Sequence, residues 1–250
     1  MAQPRIDRAR PQSSARVRAP EAAGPARSGK RLRVAAPPRI IATDDDVREG
    51  VRALRRKCAI MRHVHDTAGH PPLRRRPAGF EGLARIIVGQ QVSVASATAI
   101  WMRTAEACHP FEPGALLALT DLQLAAAGLS RPKIRGLRAI AEACCNGLDL
   151  AGLDGASEEQ VHAALTEVVG IGPWTADVYI MFCLGRADGW APGDLALQIA
   201  AQRAMDLDER PGADALKEIG ERWRPWRGVA ARLLWAYYAA LKQQGSAVPV

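Results

Sequence analysis

Residues 169–177 read VGIGPWTAD, and a PGD sequence follows at residues 192–194. Two glycines, Gly170 and Gly172, permit a tight turn with positive φ and leave the backbone amides uncovered by side chains. Pro173 suits the first position of a helix, because its missing N–H would have no partner there anyway. The segment therefore predicts a helix, a hairpin and a second helix whose first amides are typical of a phosphate-binding site.

A single carboxylate, Asp194, ends the PGD sequence downstream of this hairpin. Each half of the pattern has an ordinary interpretation: a Gly-x-Gly turn usually only joins two helices, and an Asp after Pro-Gly is most often an N-cap, here for a helix from Leu195. At this spacing the two halves are far more specific together. A phosphate-binding turn followed by one acid points to binding of a DNA strand combined with chemistry on a sugar.

The composition sets broad limits on the class of protein. The 250 residues are 48% hydrophobic, which suits one medium domain or two small lobes. We find no run of 18 apolar residues and no apolar N-terminal signal segment, so we expect a cytoplasmic, bacterial-type protein with no membrane span. The five cysteines show no CxxC or metal-ligand spacing, so we interpret them as free thiols.

The net charge of +8 is concentrated at the N-terminus. Residues 1–40 hold ten of the 34 Lys and Arg and two of the 26 acids, so residues 41–250 hold 24 of each and are neutral overall. Because the first segment is rich in Arg, Pro, Ala and Ser, we predict a disordered basic tail over residues 1–40 and a folded domain over residues 41–250. DNA affinity in the folded part must then come from locally placed charges and backbone amides.

Past residue 40 the pattern is helical nearly throughout, with no convincing alternating strand. Acids begin and bases end residues 44–57, which matches a helix dipole. Further helices are predicted over residues 80–91, 93–108, 133–146, from Ser157 to the hairpin, 195–205, 213–223 and 226–243, with restarts at Pro113, Asp121 and Arg131.

Four blocks of sequence carry a family resemblance. They lie at residues 72–101, 128–141, 166–188, and 192–198 together with 221–238. In order they resemble the DNA-3-methyladenine glycosylase II family, the alkylated-base branch of the helix-hairpin-helix, Gly/Pro-Asp DNA glycosylase superfamily. The resemblance implies an all-α, two-lobed fold with the active-site cleft between the lobes, in a compact form without the β-rich N-terminal domain of larger relatives.

The resemblance also implies the residues of the reaction centre. Asp194 would be the catalytic carboxylate, and Trp174, Trp235 and Tyr179 would line the pocket for the extruded base. Base–aromatic stacking contributes roughly 1–3 kcal/mol per base, and indole faces favour cationic alkylated purines. The alternative for each aromatic residue is a place in the core. Two other acids, Asp177 and Asp188, are interpreted as solvated surface groups.

The resemblance also implies contacts with DNA at the hairpin and at one side chain that would enter the duplex as a wedge. The hairpin contacts would come from the backbone at Gly170, Ile171 and Gly172. Gln91 would fill the gap left in the duplex, although a polar residue at a helix end can equally pack inside the protein. The hairpin carbonyls of Thr166, Val168 and Ile171 would hold a structural Na⁺ or K⁺.

No other cofactor is expected. In bifunctional relatives a Lys of the hairpin helix attacks the sugar, and Trp174 stands at that position here. No cysteine follows Cys183, so no iron–sulfur cluster is expected. The sequence thus predicts a monomeric, monofunctional glycosylase that releases 3-methyladenine- or 7-methylguanine-type bases from double-stranded DNA and leaves an abasic site. The alternatives are a non-catalytic DNA-binding module and a glycosylase for deaminated or etheno-purines.

Overall fold

Short-range capping sets where the helices begin. In the computed structural model, which describes residues 1–2, 38–243 and 245, helix α1 (Asp44–Lys57) starts at a capping box. The Thr43 side chain accepts a hydrogen bond from the Asp46 backbone N–H at 3.3 Å, and the Asp46 carboxylate accepts one from the Thr43 N–H at 2.8 Å. Two otherwise unpaired amides are satisfied in this way, so the helix begins where the sequence predicts.

The described residues form twelve α-helices and one short 3₁₀ turn, and the only strand-like pairing among them is an isolated bridge between Ile40 and Arg186. After α1 the helices are α2 (Ala59–Ala68), α3 (Gly79–Gly89), α4 (Val94–Ala107), α5 (Pro113–Ala118), α6 (Asp121–Ala126), α7 (Arg131–Cys145), α8 (Glu158–Thr166), α9 (Pro173–Phe182), α10 (Leu195–Met205), α11 (Ala213–Glu221) and α12 (Arg227–Gln243). The all-α prediction is confirmed. Within these residues no helix has the length and hydropathy that a membrane span requires.

The helices pack in two groups. Helices α1, α2, α10, α11 and α12 pack on one another and form what we call the terminal lobe, because it joins both ends of the described chain. Helices α3 to α9 form the central lobe. The hairpin joins α8 to α9 in the central lobe, whereas Asp194 begins α10 in the terminal lobe. The catalytic candidate therefore lies where the chain passes from one lobe to the other.

Most of the predicted basic tail lies outside the described residues, but its C-terminal boundary is wrong. Arg39 already belongs to the fold: its guanidinium lies 2.5 Å from Glu49 and 4.6 Å from the ring centre of Trp226. Its carbonyl accepts the Ala187 N–H at 2.8 Å. Ile41, the next residue but one, is fully buried. The folded part thus includes residues that composition alone assigned to the tail.

A buried arginine joins three segments of the structure. Arg232 on α12 is 2% exposed and donates to the carbonyls of Leu73, Gly228 and Met181 at 3.1, 2.7 and 3.1 Å. Its guanidinium also lies 4.8 Å from the ring centre of Phe182. Burial lowers the pKa of Arg232 to about 10, still far above neutrality. The side chain therefore stays charged and ties the loop before α3 and the end of α9 to the terminal lobe.

Replacing Arg232 by Met should strongly destabilise the fold. A buried carbonyl left without a partner costs about 1–3 kcal/mol, so we expect the free energy of unfolding to fall by roughly 2–4 kcal/mol. Urea denaturation measures this. The control is Arg222→Met, which removes an exposed arginine at the end of α11 and should change stability by less than about 0.5 kcal/mol. Equal effects of the two substitutions would contradict the structural role of Arg232.

Candidate active site

Asp194 is both a helix cap and the centre of a polar cluster. Its Oδ1 accepts the Leu197 backbone N–H at 3.0 Å, which caps α10. The same oxygen accepts the Trp235 indole N–H at 3.0 Å, and Oδ2 accepts the Trp174 indole N–H at 2.8 Å. The carboxylate is half-buried at the N-terminus of α10, where the helix dipole favours a negative charge. The capping interpretation and the functional one are therefore compatible.

Two of the three predicted pocket aromatics meet at this carboxylate. Trp174 lies in the first turn of α9 and Trp235 on α12, so they come from different lobes. Both side chains are half-buried, and the Trp235 ring lies 5.5 Å from that of Phe182. Their indole N–H groups are held by Asp194, which fixes the ring orientations. The structure thus brings Trp174, Trp235 and Asp194 together, as the resemblance implied.

The third predicted aromatic is not part of this cluster. Tyr179 is fully buried, and its hydroxyl accepts the Gly79 backbone N–H at 2.9 Å. Burial raises its pKa to about 12, so the phenol stays neutral. The hydrogen bond holds the first residue of α3, where Gly79 has a φ of +82°. The pocket role predicted for Tyr179 is therefore wrong; it is a core residue that positions α3.

The hairpin has the predicted shape but a different distribution of backbone angles. Gly170 has a φ of +87°, whereas Gly172 has an ordinary φ of −89° and acts as the N-cap of α9. The expectation of positive φ at both glycines is thus correct only for Gly170. The Ile171 side chain is 5% exposed and anchors the turn. Within the described residues the backbone N–H groups of Gly172 and Trp174 have no hydrogen-bond partner, which leaves them available to an anion.

The carbonyls predicted to hold a cation line the same turn. The Val168 carbonyl accepts the Ile171 N–H at 3.0 Å, and a carbonyl oxygen has a second lone pair that could ligate an ion. The described residues contain no cluster of three or more His, Cys, Asp or Glu suited to a metal. Carbonyl ligation by Thr166, Val168 and Ile171 stays a prediction.

The predicted wedge residue lies at an exposed turn between α3 and α4, residues 90–93, which we call the wedge turn after that prediction. Gln91 is exposed with a φ of +55°, a left-handed conformation that is uncommon for a residue other than glycine. Its neighbour Gln90 donates from Nε2 to the Thr175 hydroxyl at 2.9 Å, which ties this turn to the hairpin helix. Such strained residues cluster at functional sites. Sequence reasoning missed the Gln90–Thr175 bond because the partners lie 85 residues apart.

The two other acids near the hairpin are not solvated, contrary to the sequence interpretation. Asp188 is 20% exposed and pairs with Arg224 and Arg227, the latter at 3.0 Å. Asp177 is 15% exposed and faces α8, with the His162 Nε2 atom 3.6 Å away. Neither side chain hydrogen-bonds to Trp174 or Trp235. Asp194 is therefore the acid that the structure places between the two indoles.

Asp177 is strongly perturbed by its surroundings. Burial, and secondarily the nearby Glu158 carboxylate, raises its pKa to about 7, although Arg227 and Lys217 act in the opposite direction. Burial also raises the pKa of Glu158. Both acids line a groove of about 520 Å³ on the other side of the hairpin helix. Because burial disfavours the ionised carboxyl, the free energy of unfolding falls as rising pH removes its proton.

Comparison with known proteins agrees with this geometry. The family model described as HhH-GPD superfamily base excision DNA repair protein matches residues 84–225, which contain the wedge turn, the hairpin and Asp194. The chain belongs to this superfamily. The matched stretch is more than half of the 250 residues and extends through α10 and α11.

Individual members of the superfamily cover most of the described fold. A solved 3-methyladenine DNA glycosylase (Mag1) of Schizosaccharomyces pombe, in complex with abasic DNA, shares 26% identity at a TM-score of 0.68, over 75% of this chain and 95% of that one. A DNA-3-methyladenine glycosidase of Bacillus halodurans shares 31% identity at a TM-score of 0.67, over 78% and 91%. The alkylbase DNA glycosidase-like protein mag2 of S. pombe is 27% identical over 63% of this chain and 77% of its own length.

The protonation of Asp177 predicts a pH-dependent stability. Its folded-state pKa of about 7 lies above the ordinary value, so the folded state binds more protons between these values, and stability falls as pH rises through pH 7. Asp177→Asn cannot ionise. We expect its free energy of unfolding at pH 8 to exceed that of the wild type by roughly 1–3 kcal/mol. Near pH 4 the two proteins should differ little.

Denaturation curves at several pH values measure this difference. Glu218→Gln, which removes one exposed acid from α11, controls for the loss of a negative charge and should leave the pH profile unchanged. A gain in stability for Asp177→Asn that is equal at pH 4 and pH 8 would show that the carboxyl does not titrate as described.

Proposed function

We propose that this protein is a monofunctional DNA glycosylase that removes alkylated purines from double-stranded DNA and leaves an abasic site. The observation that carries the proposal is the Asp194 carboxylate, held between the indole N–H groups of Trp174 and Trp235 beside a hairpin with free amides. The names of the relatives, two of them 3-methyladenine glycosylases or glycosidases, support this substrate class. All three residues belong to the same chain, so the proposed reaction at this site requires no residue from a second copy.

The hydrogen bonds of Asp194 leave one oxygen less occupied than the other. An ionised carboxylate offers about four acceptor positions. Oδ1 accepts two hydrogen bonds, from Leu197 and Trp235, whereas Oδ2 accepts only that of Trp174. Oδ2 therefore has an acceptor position free for a water molecule and a negative charge to stabilise the positive charge that develops on the sugar.

A cationic base is a good leaving group, so breaking its glycosidic bond requires little catalytic assistance from the protein. The target nucleotide is extruded from the duplex so that its glycosidic bond can be reached. The bond then breaks with its electron pair going to the base, which becomes neutral, while the oxygen of water bonds to the anomeric carbon and its proton passes to Asp194 or solvent. No strong general acid is required, which fits a site with one carboxylate and two indoles.

The side chains around Asp194 support hydrolysis without strand cleavage. Cleavage by a lyase step needs an amine that forms a Schiff base with the sugar. The residue at the implied amine position is Trp174, and its indole nitrogen donates to Asp194. An indole cannot form a Schiff base. We therefore expect an alkali-sensitive abasic product and an intact strand.

Base release from alkylated DNA tests the proposal directly. The wild type should release 3-methyladenine or 7-methylguanine from dimethyl-sulfate-treated duplex DNA, as measured by chromatography, and no uracil from a uracil-containing duplex. Asp194→Asn removes the charge and should slow release by at least about 100-fold, since a positioned catalytic group contributes roughly 10²–10⁴. Binding to a duplex with an abasic-site analogue should survive.

The Asn amide cannot accept all three hydrogen bonds of Asp194, so stability must be measured as well. Trp174→Phe removes one of these bonds and keeps an aromatic ring, and it serves as the matched control. If it slowed release as much as Asp194→Asn at equal folded fraction, the carboxylate charge would not be what drives the reaction. Near-normal turnover in Asp194→Asn would remove the proposed mechanism altogether.

The two hairpin glycines separate phosphate binding from folding. A Cβ at Gly172 meets nothing within 4 Å and φ is ordinary, so Gly172→Ala should fold normally, yet it adds a methyl group beside the free amides. We expect it to weaken binding to damaged and undamaged duplexes alike, and to change the single-turnover rate at saturating protein less than the affinity.

Gly170→Ala is the counterpart to this variant, because its φ of +87° strains any other residue. It should lower the melting temperature, whereas Gly172→Ala should not. Calorimetry and binding isotherms measure both effects. Unchanged DNA affinity in a well-folded Gly172→Ala protein would mean that the hairpin is only a structural turn.

A further inference from the structure

Three consecutive arginines lie in the loop between α2 and α3. Arg74, Arg75 and Arg76 are all exposed, and within the described residues none of them forms an ion pair with a carboxylate. The catalytic cluster and the hairpin use none of them. Three adjacent cations without a counter-charge need either solvent or an external anion.

The loop that carries these arginines is held firmly. The Arg76 backbone N–H donates to the Phe182 carbonyl at 3.0 Å, and buried Arg232 donates to the Leu73 carbonyl at 3.1 Å. Both anchors use backbone atoms of the loop. The guanidinium groups are thus presented from a fixed backbone, so the loop itself loses little conformational freedom when they bind.

Two of the three arginines, Arg75 and Arg76, line a groove of about 320 Å³ that also reaches the wedge turn. Its lining contains Arg75, Arg76 and Arg85 together with Val92 and Val94 from the residues after Gln91, and no acidic residue. Arg85 is paired with Glu81 at 2.7 Å. The remaining cations of the groove are therefore unneutralised, and two exposed valines connect them to the wedge turn.

Neighbouring cations act on Arg76. Partial desolvation lowers the pKa of Arg76, the Cys183 thiol acts to raise it, and the Arg85 and Arg74 cations lower it. The titratable group facing Arg75 and Arg76 from the core is the Cys183 thiol, whose pKa burial raises to about 12, so it carries no negative charge at neutral pH. An anion entering the groove would relieve this repulsion.

The position of the groove relative to the wedge turn indicates which anion. Before Gln91, the turn is tied to the hairpin helix through the hydrogen bond from Gln90 to Thr175, and after Gln91, Val92 and Val94 line the arginine groove. A side chain that enters the gap in a duplex has the damaged strand on one side and the opposite strand on the other. If the hairpin binds the damaged strand, the groove reached by the residues after Gln91 is the part of this surface left to meet the opposite strand.

We propose that the groove formed by Arg75, Arg76 and the residues after the wedge turn binds backbone phosphates of the strand opposite the extruded nucleotide. This inference rests on the proposed action on duplex DNA. The groove and the hairpin would then grip the two strands from either side of Gln91. Holding both strands keeps the gap open while the base is outside the stack, because the duplex cannot close past the wedge.

Strand-selective neutralisation of phosphates tests this assignment. The probe is a duplex with one abasic-site analogue, in which methylphosphonates replace the phosphates next to the gap in either strand. Wild-type affinity should fall about three- to tenfold with substitution of either strand. The double variant Arg75→Gln/Arg76→Gln should lose its sensitivity to the opposite strand only. Its salt slope of log K should become shallower by about 2.

A matched control removes the same charge from another surface. Arg52 and Arg56 on α1 are exposed and belong to a separate arginine cluster, so Arg52→Gln/Arg56→Gln should keep sensitivity to both strands. Gly172→Ala should lose sensitivity to the damaged strand alone. Equal loss of opposite-strand sensitivity in the α1 control, retained sensitivity in the groove variant, or no wild-type sensitivity to the opposite strand would each overturn the proposal.

These outcomes are separate from those that test catalysis. A protein that binds with the expected strand pattern but releases no base would refute the proposed activity and leave the groove assignment standing. A protein that releases alkylated bases but ignores opposite-strand phosphates would do the reverse.

Discussion

The Asp194 carboxylate, shared between two indole N–H groups, is the contact on which the arrangement of the site depends. Trp174 comes from the central lobe and Trp235 from the terminal lobe, so one anion joins the lobes at the candidate active site. Each hydrogen bond from an N–H to a charged oxygen is stronger than a neutral one. The same bonds that orient the carboxylate also fix the planes of the two rings. The candidate catalytic carboxylate and the two candidate pocket rings are thus positioned together.

Buried arginines extend this connection through the molecule. Arg232 fastens the loop before α3 and the end of α9 to α12, while Arg186 donates to the carbonyls of Asp154 and Ala156 at 2.6 and 2.9 Å. Each guanidinium donates to more than one backbone carbonyl at once, which few other side chains can do. As a result, the loops around the hairpin keep their geometry without regular secondary structure.

Within the described residues, some arginines pair with carboxylates and others do not, and the two groups lie in different segments. Two of the three arginines in the segment of residues 221–227 are neutralised internally: Arg224 and Arg227 both pair with Asp188 and Glu221. This segment belongs to one of the four blocks that carry the family resemblance, yet these contacts are structural, with Trp223 fully buried behind them. In contrast, Arg74, Arg75 and Arg76 before α3 form no ion pair with any carboxylate in the part of the chain that the structure describes. The segment that stands out in the sequence is therefore not the one whose positive charges are free to bind an anion.

The sequence by itself determined the helical fold, the hairpin and the identity of the central acid. Helices α1 and α10 begin and end where their caps and charges predict, because capping and periodicity act over a few residues. Tertiary structure decided the environment of each side chain. Tyr179 and Asp177 lie on the same helix as Trp174, but only packing against α3 and α8 shows that both face away from the indole cluster. Burial and charge pairing join residues far apart in the chain, and local patterns carry no record of those partners.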